Sequence, residues 1–174
     1  MIRPEFGKEL ENQQKVLHLV WGAFLVATVF YLWIPQLLIE QLRFPERQPL
    51  AETTRVILWT IVLIQVGFLL WWKKQYLARD AILRRAGEIS WIPILVRGHR
   101  SPAEETAARV IAWYVSGKIV AFAVAEAVAI YGLYLAYVGQ YFQDQYILSL
   151  ICVVLLIYFY PSKAFLGELL QEIS

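Results

Sequence analysis

Residues Ile119 to Val138 read IVAFAVAEAVAIYGLYLAYV, a run in which Glu126 is the one charged residue. A helix needs roughly 20 predominantly apolar residues to cross a bilayer, and this stretch has that length and composition. Three more apolar runs share the chain with it: Val16 to Ile34, Val56 to Trp72 and Tyr146 to Tyr160. The last is short, and reaches spanning length if it begins near Gln143, with Tyr146 at one interface, Tyr158 and Tyr160 at the other, and Pro161 as its stop.

Composition agrees with the pattern of runs. Of 174 residues, 59% are hydrophobic and 17% charged, whereas soluble domains average about 45–50% and about 25%. A domain of this size buries only about 70% of its unfolded surface, so the surplus apolar side chains need an apolar surrounding. The expected fold is an all-α, integral membrane four-helix bundle, a single transmembrane domain over 1–174. Its helices fall at about 14–39, 54–86, 102–138 and 143–160, with the lipid bilayer as first partner. Met1 to Lys15 is charged and mixed, and no small-residue cleavage pattern follows the first apolar run, so helix 1 is expected to be retained.

The basic residues set the orientation. Lys73, Lys74, Arg79, Arg84, Arg85, Arg97, Arg100 and Arg109 lie between the second and third runs, while Gly139 to Gln145 carries no Lys or Arg. Cytoplasmic loops are the positive ones, so segment 73–109 and both termini are expected on the cytoplasmic side. Arg43, Arg47 and Arg55 form a smaller opposing group around the first outer loop.

Helices 2 and 3 are expected to extend into the cytoplasm. Ser101-Pro102-Ala103-Glu104 is a capping box with proline at the first helical position. A helix from Pro102 to Val138 would be ~55 Å long against a hydrocarbon layer of ~30 Å. Helix 2 continues through Lys73 to about Arg85, with Gly87 as a stop. Between the two, Ser90 to Val96 reads as an interfacial dip broken by Pro93, followed by a basic turn in which Arg97, His99 and Arg100 are candidates for lipid phosphate.

Chemistry of other kinds has little footing. The single cysteine, Cys152, lies inside helix 4, and no phosphate loop, nucleophile elbow or zinc-type spacing occurs. We therefore expect no enzyme activity, no metal, no cofactor and no nucleic-acid partner. A haem held between His18 and His99 would need one ligand from an irregular loop; His18 reads as an interfacial polar residue.

Helix 3 carries the informative positions. Gly117, Ala121, Ala125, Ala129, Gly132 and Ala136 recur at helical spacing and make a seam of small side chains. Such seams mark close helix contacts in lipid, either inside the bundle or between protomers or partner subunits. Glu126 lies eight residues past Lys118, ~12 Å deeper along the helix. If Lys118 reaches for the inner interface, the carboxyl sits near the bilayer midplane, where a charge costs at least ~2.5–3.5 kcal/mol and needs a partner, a proton or water. Gln65, Ser149 and Tyr131 are its candidate partners. It reads as a packing hydrogen bond, as a contact to a partner or lipid, or as a proton-carrying site.

The stretch Ala125-Glu126-Ala127 leading to Ile130-Tyr131-Gly132-Leu133 resembles the ion-binding helix of the ATP synthase c subunit, the proteolipid, which implies a proton-carrying role for Glu126. That family is a two-helix hairpin with its carboxylate on the last helix, whereas here it falls on helix 3 of four. The C-terminal half, with Glu126 before Tyr131-Gly132-Leu133 and with Phe159-Tyr160-Pro161, is also similar to a family of four-helix bacterial inner-membrane proteins. That likeness implies a bacterial inner-membrane address and no particular activity. Two function classes follow. One is a non-enzymatic accessory or scaffold subunit of a larger membrane complex or a homo-oligomer, assembled through the helix 3 seam. The alternative is a proton- or ion-conducting bundle centred on Glu126 and Gln65.

Overall fold

The computed structural model describes residues 4–42, 52–88 and 101–171. Among these the chain is all-helical, without strands: α1 (Pro4–Leu42), α2 (Glu52–Tyr76), α3 (Arg79–Glu88), α4 (Pro102–Gly139), α5 (Phe142–Tyr158) and α6 (Lys163–Gln171). Four segments, Glu11–Pro35, Glu52–Tyr76, Pro102–Gly139 and Phe142–Leu169, are long and apolar enough to cross a membrane. They are unequal in burial. Only 11% of the apolar window is buried in each of the first two, against 44% and 39% in the others, so α4 and α5 supply most of the interior.

The helix boundaries follow from local chemistry. Pro4 opens α1 at a position where its missing N–H is not needed. The helix then passes Pro35 and ends at Leu42, beyond the expected 39. Helix 2 does not run through to residue 86: α2 stops at Tyr76, and Leu77-Ala78 separate it from α3. The carbonyl of Tyr76, which the ladder of α2 leaves open at its end, accepts a hydrogen bond from the Trp113 indole at 3.1 Å. At the start of α4, Ser101 Oγ accepts from the Glu104 N–H at 3.3 Å and Glu104 Oε2 accepts from the Ser101 N–H at 3.2 Å. The capping box is thus closed in both directions. Ser90 to Val96 and the basic turn with Arg97, His99 and Arg100 lie outside the described residues, apart from which α3 runs one residue beyond Gly87.

The turn from α4 to α5 is short. Gln140 adopts φ 60, the left-handed conformation typical of a residue just past a helix end. The N–H of Tyr141 bonds the carbonyl of Leu135 and that of Gln140 bonds Ala136, both at 3.1 Å. The bond from Gln140 to Ala136 is the single five-to-one bond of an αL helix ending, built here without glycine.

The chain divides into two compact units, each described on its own. One contains residues 1–20, 71–120 and 161–174. Its centre is the Tyr76 ring, stacked on Trp72 at 4.0 Å between centroids and facing Trp113 at 6.0 Å. The Arg85 guanidinium lies 4.0 Å from the same ring centroid, so the break at Leu77-Ala78 lets α3 turn its arginine onto the aromatic stack. Ile82 of α3 and Leu169 of α6 are fully buried, and Tyr114 meets Phe165 at 5.7 Å.

The other unit contains residues 21–70 and 121–160. Here α4 is central. Its small residues Ala121, Ala125, Ala129, Gly132 and Ala136 are all buried, with α5 against them: a Cβ on Gly132 would lie 3.1 Å from both Gln145 Cα and Leu148 Cβ. On one flank, Phe122 of α4 meets Phe24 of α1 at 6.0 Å. On the other, Tyr131 receives Gln65 of α2. The fourth side, with Ala123, Ile130 and Tyr134, is exposed.

Candidate functional site

Two polar residues of the 21–70 and 121–160 unit, Glu126 and Gln145, meet at Tyr31. Pro35 has no N–H, so within α1 the carbonyl four residues earlier, that of Tyr31, loses its ladder partner. In an apolar surrounding that orphan is expensive, and side chains of neighbouring helices fill such gaps. The Gln145 amide of α5 donates to this carbonyl. The Tyr31 hydroxyl donates to Glu126 Oε1 at 2.8 Å. One residue of α1 is thereby tied to α5 through its backbone and to α4 through its side chain.

Two further contacts continue this line. Thr28 Oγ1 lies 3.4 Å from Cys152 Sγ, and the Trp21 indole donates to the Leu156 carbonyl at 2.9 Å. Trp21, Thr28 and Tyr31 share one face of α1, and Gln145, Cys152 and Leu156 one face of α5, with spacings of three, four and seven residues. Pairing low numbers on one helix with high numbers on the other makes the two antiparallel. Thr28 also donates to the Phe24 carbonyl at 2.9 Å, which satisfies its hydroxyl within α1.

The partner of Glu126 corrects the sequence-based choice. Gln65, Ser149 and Tyr131 were the candidates, and none of them bonds the carboxyl among the described residues. Tyr131 is five residues beyond Glu126, about 140° around the helix, and so faces α2 instead. There Gln65 Nε2 donates to its hydroxyl at 3.4 Å, and Gln65 Oε1 is buried without a hydrogen bond from the described residues. Ser149 Oγ is likewise buried and makes no hydrogen bond among the described residues. Glu126 itself is half-buried. Among the described residues the hydrogen bond from Tyr31 is the only one it receives.

A second acidic residue is closed by an ion pair. Asp144, in the first turn of α5, is buried. Arg55 of α2 meets it with two parallel hydrogen bonds, Nε to Oδ2 at 2.6 Å and Nη2 to Oδ1 at 3.0 Å. The Arg55 guanidinium also lies 4.8 Å from the Tyr141 ring centroid. A 370 Å³ cavity lined by Arg55, Gln140, Tyr141, Phe142, Gln143 and Asp144 opens beside the pair, so the arginine keeps contact with a polar surrounding. That lowers the desolvation cost which makes fully buried ion pairs weak.

The remaining expected site residues fall elsewhere. Lys118 belongs to the other unit, where it is buried with Nζ 5.4 Å from the Tyr114 ring centroid. Gly117 is buried in that unit, where a Cβ would meet Leu77 Cδ2 at 2.7 Å and where its carbonyl accepts from Trp72 at 3.2 Å. His18 Nδ1 lies 2.8 Å from the Gln14 carbonyl. Among the described residues no group of three or more His, Cys, Asp or Glu is placed to hold a metal ion. Arg97, His99 and Arg100 lie outside the described residues.

Sequence reasoning missed Tyr31, Gln145 and the Arg55–Asp144 pair. Proline at 35 was the available signal for the first two, because it implies an unsatisfied carbonyl at 31 and a donor at the same depth on another helix. No family model, no curated protein and no solved structure matches this chain.

Proposed function

We propose that the protein is an integral membrane protein of the bacterial inner membrane, crossing it four times with both termini and segment 73–109 in the cytoplasm, and that it serves as a non-enzymatic accessory or scaffold subunit. The four long apolar helices support the embedding. Pairing of Arg55 with Asp144 supports the orientation, because it neutralises one of the three arginines that oppose the positive-inside pattern.

The observation that carries the subunit reading is the use made of the buried polar groups. Glu126, Gln145, Thr28 and Arg55 each bridge two helices. This favours structural roles over a passage. The small-residue seam of α4 is buried within the chain, so association with other subunits falls to the exposed faces of α1, α2 and α5 and the outer side of α4. Isolation from the native membrane in mild detergent tests the reading: a co-purifying membrane protein at fixed stoichiometry is expected, and a chain that travels alone counts against it.

Conduction is the second reading, favoured by the unbonded Gln65 Oε1 and Ser149 Oγ in the same unit as Glu126. Proton flux in liposomes that disappears in Glu126→Gln would establish it. Absence of flux from the parent protein removes it.

A further inference from the structure

The exposed side of α4 combines two features that the buried seam does not. Ala123 is exposed and Ala127 half-buried, four residues apart, with Glu126 between them; Ile130 and Tyr134 continue the face at 44% and 45% exposure. Small side chains four apart let a second backbone approach closely in lipid. Beside this shallow strip stands a half-buried carboxyl group that is not floppy. Tyr31 fixes its Oε1, and Gln145 in turn holds Tyr31, while its Oε2 receives no hydrogen bond from the described residues.

Acidic groups at such depth pair with basic ones or with other polar groups. The four apolar runs 16–34, 56–72, 119–138 and 146–160 contain no Lys or Arg, so a second copy of this chain has no basic side chain to offer at that level. Resting on the membrane-subunit reading, we propose that this face receives a transmembrane helix of a different polypeptide, one with an arginine or lysine near mid-span that donates to Glu126.

The test uses the full-length protein in lipid nanodiscs, with a fluorophore on Gln143→Cys and a labelled synthetic peptide of leucine and alanine carrying one central arginine. Energy transfer is expected to report binding about tenfold tighter than for the same peptide with leucine at the centre. Glu126→Gln keeps an acceptor for Tyr31, so the fold is retained, and it should abolish the preference. Ala127→Leu should weaken arginine-peptide binding with the carboxyl intact. Equal binding of the two peptides, a preference that survives Glu126→Gln, or Glu126-dependent self-association without peptide would each overturn the proposal. The subunit reading fails separately: a natural partner retained by Glu126→Gln removes this inference alone, whereas a wild-type chain that travels alone and conducts protons removes the reading beneath it.

Discussion

Gln145 supplies to Tyr31 the hydrogen bond that Pro35 withholds. A proline inside a long apolar helix and an amide on another helix, far apart in sequence, thus form one structural device. The two are energetically coupled, and the coupling is measurable. Gln145→Leu should destabilise by about 1–3 kcal/mol, the cost of a buried acceptor left unmade. In a Pro35→Ala background the new N–H at residue 35 reaches the carbonyl itself, and the same Gln145→Leu change should cost less than half as much. Thermal unfolding of the four proteins in one detergent gives the cycle; equal costs in both backgrounds would reject the coupling.

Arg55 and Asp144 should respond unequally to substitution. Asp144 is buried and Arg55 is partly open to the adjoining cavity, so the aspartate loses more by standing alone. Arg55→Leu is expected to lower the unfolding temperature most, Asp144→Leu less, and the double replacement less than Arg55→Leu. An unfolding series in which Asp144→Leu proves the worst of the three contradicts this asymmetry.

Two glycines in the same unit offer a controlled contrast. A Cβ at Gly132 meets the backbone and side chain of α5 at 3.1 Å, whereas one at Gly67 meets nothing within 4 Å. Gly132→Ala forces α4 and α5 apart and should cost about 1–3 kcal/mol, as overpacking does. Gly67→Ala should stabilise by up to about 1 kcal/mol through helix propensity. Equal effects at the two positions would show that α5 is not seated on Gly132.

Orientation can be read by labelling, because the single native thiol, Cys152, is buried. Cysteines placed at the exposed positions Asp80 and Gln143 should differ in access to a membrane-impermeant maleimide. Gln143→Cys is expected to react in intact cells and Asp80→Cys only after lysis. The reverse pattern inverts the proposed topology.

The helices were legible because apolar length is a direct physical requirement for crossing lipid, and α4 was legible to its first turn because Ser101, Pro102 and Glu104 carry a local signal. The break after Tyr76 was not. Nothing between Lys73 and Arg85 interrupts a helical reading, and the break is accompanied by Trp113, which is 37 residues away and satisfies the Tyr76 carbonyl. The prominence of Glu126 was plain from its isolation in an apolar run, but its partner was sought by depth alone. Direction around the helix decided the matter, turning Glu126 toward α1 and Tyr131 toward α2. Arg55 was read as a charge at the first outer loop and its pairing with Asp144 was not legible, since no local pattern joins residues separated by 89 positions.

The contacts that fasten α1 have a temporal cost. Its partners lie 95, 114, 124 and 135 residues downstream, at Glu126, Gln145, Cys152 and Leu156. At translation speeds of about 5–20 residues per second, α1 would wait roughly 5–25 s after leaving the ribosome before the last of them emerges. Throughout that delay the Tyr31 carbonyl has no Gln145 to close it. Nascent chains stalled ahead of α5 should therefore hold α1 loosely.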